Sequence, residues 1–299
     1  ALLIYGANGY TGSLIARLAA SQGLTPILAG RNGGAVAQVA RDCGFTHRAF
    51  DLVDPAAVDA GLQGVKAVLH CAGPFWRTSR PMVDACLRQR VHYLDVTGEF
   101  SVFAACAERS DEARAAGVML LPGSGFDVVP TDCLAAHLKR CLPGATHLAL
   151  GLDTAIQVSR GTATTMIETP AFHQGLVRED GQLKVVPMAY RTRTIDMGRG
   201  PVRAMTIAWA DVTTAYHSTG IPNIETYVVA SGSLPNVLRL AERQVTMSRF
   251  NGLHGQCYGQ QVFYVIFREK QGHARTLLSF PSPPDFRPRE YPSNERFYV

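Results

Sequence analysis

The sequence predicts an α/β fold, a doubly wound parallel sheet followed by a second α+β domain, on three observations. An apolar run, Leu2-Leu3-Ile4-Tyr5, leads straight into glycines at positions 6, 9 and 12 and then into an amphipathic segment. Strand-like runs recur near residues 1–5, 25–29, 47–50, 67–71, 92–95 and 118–121, with helix-like segments between them. Alternation at that pitch builds a parallel sheet, because each parallel return needs a crossover. Length and composition suit two domains: the chain has 299 residues, 46% of them hydrophobic, and no stretch approaches the ~18 consecutive apolar residues of a membrane span.

The first crossover carries chemistry. Gly6 allows the tight strand-to-helix turn, Gly9 lets backbone amides close on a pyrophosphate, and Gly12 lets the helix lie against the strand. Gly6, Asn8, Gly9, Tyr10, Thr11 and Gly12 are therefore candidate dinucleotide binders of a Rossmann-type domain, with the anion held at a helix N-terminus. The spacing is GxxGxxG and not GxGxxG, so these glycines take their weight from lying between strand and helix. The helix is expected to bury Leu14, Ile15, Leu18 and Ala19 and to stop at Gly23.

At the end of the second strand, an NAD-specific site carries an acidic residue for the ribose hydroxyls. This chain has Gly30-Arg31-Asn32 there, and a guanidinium favours a 2′-phosphate, hence NADP (as NADPH) over NAD. The other reading of Arg31 is a solvated loop residue.

Ligands of this fold lie beyond the carboxyl ends of the strands. Asp51 follows the third strand, where it could meet the adenine ring or simply cap a helix. Cys71-Ala72-Gly73-Pro74-Phe75 follows the fourth; Ala72, Gly73 and Pro74 would let backbone approach the nicotinamide ribose, while Cys71 reads as a buried apolar residue. Asp95-Val96-Thr97-Gly98-Glu99 follows the fifth, placing Gly98 at the same rim and Glu99 as either a ligand or a cap of the next helix. Pro122-Gly123-Ser124-Gly125-Phe126-Asp127 follows the sixth. Boundary signals agree: Asp54-Pro55 can cap and begin a helix, Pro81 can sit in the first turn of the next, and Gly117 follows the helix through Val102, Phe103 and Cys106. The expected division is a dinucleotide-binding domain at 1–130 and a substrate or dimerisation domain at 131–299.

Several function classes are disfavoured. The formal charge of +5 is modest and its basic residues are interleaved with acidic ones, so nucleic acid is not an expected partner. Seven scattered cysteines without a CxxC pair read as reduced thiols of a soluble, cytoplasmic protein without a secretory leader, and no metal site is expected.

The segments at Gly6–Gly12, Ala29–Arg31, Cys71–Phe75, His92–Glu99 and Pro122–Pro130 together resemble the saccharopine dehydrogenase-like NADP-binding oxidoreductases, in particular the bacterial subgroup that includes trans-acting enoyl reductases. The resemblance continues through Ser159–Met166 and Tyr216–Glu225. It implies a Rossmann domain with an inserted or following α+β domain, NADP and hydride transfer, and leaves the substrate open.

The second half reads as strands near Thr146–Leu152 and Glu225–Val229 and helices near Thr162–Glu168 and Leu234–Met247, with a sheet that could offer a homodimer surface. The tail at 280–299, rich in Pro and Arg, departs from the family pattern. Reduction of a C=C or C=N bond needs a proton source beside the hydride. His217 is the candidate donor and Arg160 the candidate anchor of a carboxylate, phosphate or thioester carbonyl, with Glu168 and Asp127 behind them. Phe75, Trp76, Phe126, Ile221 and Ile224 would suit a lipid-derived substrate or ordinary core. The rival readings are an amino-acid dehydrogenase of the saccharopine type, with cationic groups converging on substrate carboxylates, and a protein that holds NADPH without chemistry.

Overall fold

A computed structural model describes residues 1–153, 174–197 and 200–230 and two further strands at 262–269 and 274–277. The chain divides into two compact units, Ala1–Asp127 and Val128–Val299.

In the first unit every expected strand forms: β1 (Leu2–Tyr5), β2 (Ile27–Gly30), β3 (His47–Ala49), β4 (Ala67–His70), β5 (His92–Asp95) and β6 (Leu120–Leu121). They pair in parallel in the order β3-β2-β1-β4-β5-β6, the doubly wound Rossmann arrangement. Helices α1 (Tyr10–Ser21), α2 (Gly33–Cys43), α3 (Pro55–Gly61), α4 (Phe75–Gln89), α5 (Phe100–Glu108) and α6 (Ser110–Ala116) make the crossovers. Strand residues alternate between two buried faces: Leu3, Val68 and Tyr93 pack with Met82, Cys86 and Val102, and Ile4 and Leu28 pack with Ala16, Val36 and Ala40. Apolar runs covered on both sides are what a parallel sheet requires.

Local signals explain most helix ends. Asp54 Oδ1 accepts from Ala56 N at 3.0 Å and Ala57 N at 3.3 Å with Pro55 behind it, as expected. Three expectations are corrected. The buried face of α1 is Gly12, Ala16 and Ala19, whereas Leu14 and Leu18 are exposed. Small residues face the sheet because the helix starts so close to β1 that larger ones do not fit. Pro81 lies inside α4 and not in its first turn, because the helix begins at Phe75, where an acid from a neighbouring loop holds its first amides. The helix before Gly117 is two helices, broken at Arg109, whose guanidinium joins Asp84 to Glu112.

In the second unit α7 (Val129–Cys141) precedes a mixed sheet of order β10-β11-β12-β7-β13-β14. Its members are β7 (Ala145–Asp153), β10 (Thr192–Asp196), β11 (Pro201–Thr206), β12 (Asn223–Val229), β13 (Val262–Glu269) and β14 (Ala274–Leu277). β7 and β12 run parallel, and the other pairs along this path are antiparallel. The hairpin β8 (Gly175–Glu179) and β9 (Gln182–Val186) joins β12 through β8. Helix α8 (Asp211–Thr219) packs on α7, and Ser218 Oγ donates to Asp132 Oδ2 at 2.6 Å. An α+β second domain is thus present, with β8–β11 and β13–β14 not foreseen. The expected helices near 162–168 and 234–247 and the tail at 280–299 lie outside the described residues, as do Arg160 and Glu168. Among the described residues, no helix is long and apolar enough to cross a membrane.

Candidate functional site

The strand order of the first unit reverses between β1 and β4, and there Tyr5 pairs with His70. The loops leaving these two strands touch. Gly6 has φ of +82°, and a Cβ on it would lie 2.9 Å from the Cys71 carbonyl carbon and from Ala72 N, so both its turn and its neighbour demand glycine. A Cβ on Gly12 would lie 2.3 Å from Gly6 O. Gly9 is the N-cap of α1 in extended conformation, with no side-chain cap and no acid in the first turn. The amides and positive end of the α1 dipole are thus available to an anion over the loop. Tyr10 and Thr11 lie exposed in that first turn. Asn8 sits at the foot of β2, its Oδ1 3.2 Å from where a Gly30 Cβ would be.

Arg31 leaves β2 exposed. It and Asp51 both act on Tyr5, whose hydroxyl donates to Phe50 O at 3.0 Å; burial first, then Asp51, pushes this phenol up to about 12, with Arg31 opposing. Asp51 Oδ1 accepts from Val53 N at 3.2 Å, and Asn32 caps α2 by accepting from Ala35 N at 3.1 Å. Both side chains therefore already hold local backbone.

The other half of the rim is fastened by buried polar groups. Asp95, fully buried, accepts from Tyr93 Oη at 2.6 Å, Thr97 N at 3.0 Å and Gly123 N at 2.7 Å. Its backbone oxygen accepts from Ser124 N and Oγ. Thr97 Oγ1 accepts from Glu99 N at 3.0 Å, and the Glu99 carboxylate accepts from Phe75 N at 2.9 Å and Trp76 N at 2.8 Å. Glu99 thus caps α4, not the α5 helix that follows it. Desolvation raises the pKa of both acids against these hydrogen bonds. Gly98 faces Asp127, whose Oδ2 would lie 3.0 Å from a Cβ there. Burial pushes the Cys71 thiol up to about 12, so it is an inert apolar residue.

His70, absent from the sequence-based candidates, is fully buried at the end of β4. Its ring lies among those of Tyr5, Phe75 and Tyr93, and its Nε2 is 3.0 Å from Thr78 Oγ1. Thr78 Oγ1 in turn lies 2.6 Å from Ala72 O and 3.1 Å from Pro74 O. The available signal was a polar residue closing an apolar strand at the switch point.

Residues 2–121 match the family model described as the saccharopine dehydrogenase NADP-binding domain. Over those residues the first unit resembles an NADP-binding domain of the saccharopine dehydrogenase family. The chain is 32% identical over 150 residues to the trans-acting enoyl reductase of Mycobacterium leprae, covering 46% of this chain and 35% of that one. It is 28% identical over 163 residues to the mouse saccharopine dehydrogenase-like oxidoreductase, covering 48% of this chain and 38% of that one. The matched stretches thus span little more than a third of the length of these relatives. Among solved structures, saccharopine dehydrogenase (L-Glu forming) from Saccharomyces cerevisiae shares the fold at a TM-score of 0.58 and 12% identity, over 80% of this chain and 57% of that one.

Within this first unit, Ala72, Gly73 and Pro74 form the loop between β4 and α4. A Cβ on the exposed Gly73 would meet Phe75 first, its ring at 3.5 Å, an ordinary contact. The Gly73→Ala variant is therefore expected to keep its stability within about 1 kcal/mol while weakening NADPH, as equilibrium titration would measure. Unchanged affinity would show that the dinucleotide does not approach this loop.

The second-unit candidates are placed apart from the expected pattern. His217 is exposed in the last turn of α8, just before the left-handed stop at Gly220, and not in a strand-to-turn segment. Ile221 and Ile224 are fully buried core, whereas Trp76 and Phe126 are exposed. The second unit also holds a cleft of about 250 Å³ lined in part by His147, Arg178, Glu179, Arg191, Arg193 and Glu225. Arg178 is spent on structure: Nε donates to Val212 O at 2.8 Å, Nη1 to Gly181 O at 2.6 Å, and the guanidinium covers Tyr216. Arg191 pairs with Glu179 and Glu225. Arg193 lies 5.5 Å from the centroid of Tyr227.

Proposed function

We propose that the chain is an NADP-dependent oxidoreductase that passes hydride to a C=C or C=N bond of a small or lipid-derived molecule. The observation that carries this is the uncapped N-terminus of α1 over glycines pressed against the neighbouring loop, with Arg31 exposed one strand away. Gly6, Gly9, Gly12 and the amides of Asn8, Tyr10 and Thr11 would hold the pyrophosphate, Arg31 the 2′-phosphate, Asn32 and Asp51 the adenosine end, and Ala72–Pro74 and Gly98 the nicotinamide end. Bound NADPH would supply the hydride and leave as NADP⁺. The atom at the other end of the reduced bond then needs a proton, for which we propose His217, with Arg160 anchoring the acceptor's anionic or carbonyl oxygen. The enoyl form of the reaction draws support from the likeness to trans-acting enoyl reductases.

The decisive experiment follows NADPH absorbance with an enoyl thioester and, separately, with a cyclic imine. Oxidation with one of them is expected, with His217→Gln lowering kcat by about 100-fold or more and leaving NADPH affinity unchanged. Turnover equal to wild type would remove His217 from the reaction, and binding without oxidation of any acceptor would leave a protein that holds NADPH without chemistry.

A second reading, an amino-acid dehydrogenase of the saccharopine type, draws on Arg193 in the second-unit cleft, where Arg178 and Arg191 are already held by protein groups. It predicts that a 2-oxo acid with an amine is the better acceptor and that Arg193→Ala raises its KM. In either reading we place the protein in the cytoplasm, with the second-unit sheet as a possible surface for a homodimer.

A further inference from the structure

We propose that Glu99, together with the His70–Thr78 pair, positions the nicotinamide half of the cofactor by holding the Ala72–Pro74 loop from both ends. This rests on the NADP reading above and goes beyond it, because none of these side chains would touch the phosphates or the adenosine.

At the far end of the loop, the two Glu99 oxygens take one amide each, Phe75 N and Trp76 N, the first two of α4. Glu99 is 4% exposed, so this is a buried, charge-assisted clamp on a helix N-terminus. Those two amides are thereby withdrawn from any external anion, which leaves the uncapped α1 as the anion site of the switch point. Glu99 is itself held: its own amide donates to Thr97, and Thr97 N donates to Asp95, which also grips the loop after β6.

At the near end, the Thr78 hydroxyl has one proton, and the carbonyls of Ala72 and Pro74 can only accept it. The contact with His70 must therefore be donated by the ring, as Nε2–H to Thr78 Oγ1. That fixes the His70 tautomer and leaves the Nδ1 lone pair buried without a partner among the described residues. Burying such an acceptor costs stability, and what it secures is a locked imidazole behind the loop carbonyl. Gly73 is suspended between the two anchors, exposed, and its backbone groups have no hydrogen-bond partner among the described residues. Exposed backbone held at a set height by buried groups on each side is a preorganised surface for a ring-bearing ribose.

The test compares two probes by calorimetry on the whole chain: NADPH, and adenosine 2′,5′-bisphosphate, its nicotinamide-free fragment. Thr78→Val keeps the shape of the side chain and removes the hydroxyl, and Glu99→Gln turns one acceptor toward an N–H as a donor. Each variant is expected to weaken NADPH about tenfold while leaving the fragment unchanged, and Thr78→Ser is expected to restore NADPH binding. Equal weakening of both probes, or no change in either, overturns the proposal, since a merely structural role would act in one of those two ways. Thr78→Val supplies the answer should Glu99→Gln fail to fold. If wild-type protein binds neither probe, the NADP reading falls and this inference with it. If wild-type protein binds both and the variants leave the ratio of the two affinities unchanged, this inference alone falls.

Discussion

Replacing Arg31 by alanine is expected to raise the Kd for NADPH by about 10- to 100-fold, the loss of about 1.5–3 kcal/mol from a charge-assisted contact with phosphate, and to leave the Kd for NADH within about twofold. The asymmetry follows from placement. Arg31 emerges from β2 beside the first crossover, where dinucleotide folds meet the adenosine ribose, and it is exposed, so its removal disturbs no core. Tyr5 below it is anchored to the Phe50 carbonyl and does not depend on the guanidinium for its position. Thermal stability should therefore stay within about 0.5 kcal/mol of wild type. Paired titrations with the two reduced coenzymes measure the effect. Equal losses for both would mean that Arg31 acts on a group the two coenzymes share, such as the pyrophosphate, and no loss for either that it touches neither; each result would overturn the assignment of the 2′-phosphate to it.

A second large effect is expected in acid. Burial against Tyr5, Phe75 and Tyr93 pulls the His70 imidazole from 6.5 down to about 3. Between those values the unfolded chain binds a proton at this position and the folded chain does not, so stability is complete above 6.5 and falls as the pH is lowered through the interval, by about 1 kcal/mol per pH unit. Asp95 and Glu99 act in the opposite sense. Their raised values mean that the folded form holds protons longer than the unfolded one, so their contribution falls as pH rises past the ordinary carboxylate range and cannot imitate that of His70. Asp59 and Glu179, lowered by Arg88 and Lys184, lose their contributions only below that range. In denaturant titrations from pH 6.5 down to pH 4.5 the raised acids Asp95 and Glu99 offset part of the loss, so the imidazole is isolated by the difference between wild type and a His70 variant. His70→Gln, which keeps a donor toward Thr78 and does not titrate, is expected to flatten the slope. Parallel curves for the two proteins would show that His70 ionises freely in the folded state.

The parts legible in the sequence were those written locally. The Gly6–Gly12 turn, the six strands of the first unit, the Asp54-Pro55 helix start and the stops at Gly23 and Gly117 each depend on residues within one turn or one strand. The misreadings arose where a distant partner decides. Leu14 and Leu18 match the helical period but lie outside, because the approach of α1 to Gly6 and Ala7 leaves room only for Gly12, Ala16 and Ala19. Glu99 reads as a cap for the helix after it, yet it caps α4, more than twenty residues back, because β4 and β5 end side by side. His217 reads as part of a turn and lies one turn inside a helix, since α8 is held by packing on α7 and not by propensity.

The chain's own order of residues determined that this is a parallel α/β domain with a glycine turn and an uncapped helix start at its first crossover and a guanidinium after its second strand. Steric demands on glycine and the spacing of apolar residues act over a few positions and need nothing else. Only the tertiary structure decided which carboxylate holds which helix, and that a neutral, buried His70 stands behind the Ala72–Pro74 loop. Those assignments depend on which strand ends the sheet brings together, and on how completely it shuts water away from the groups that meet there.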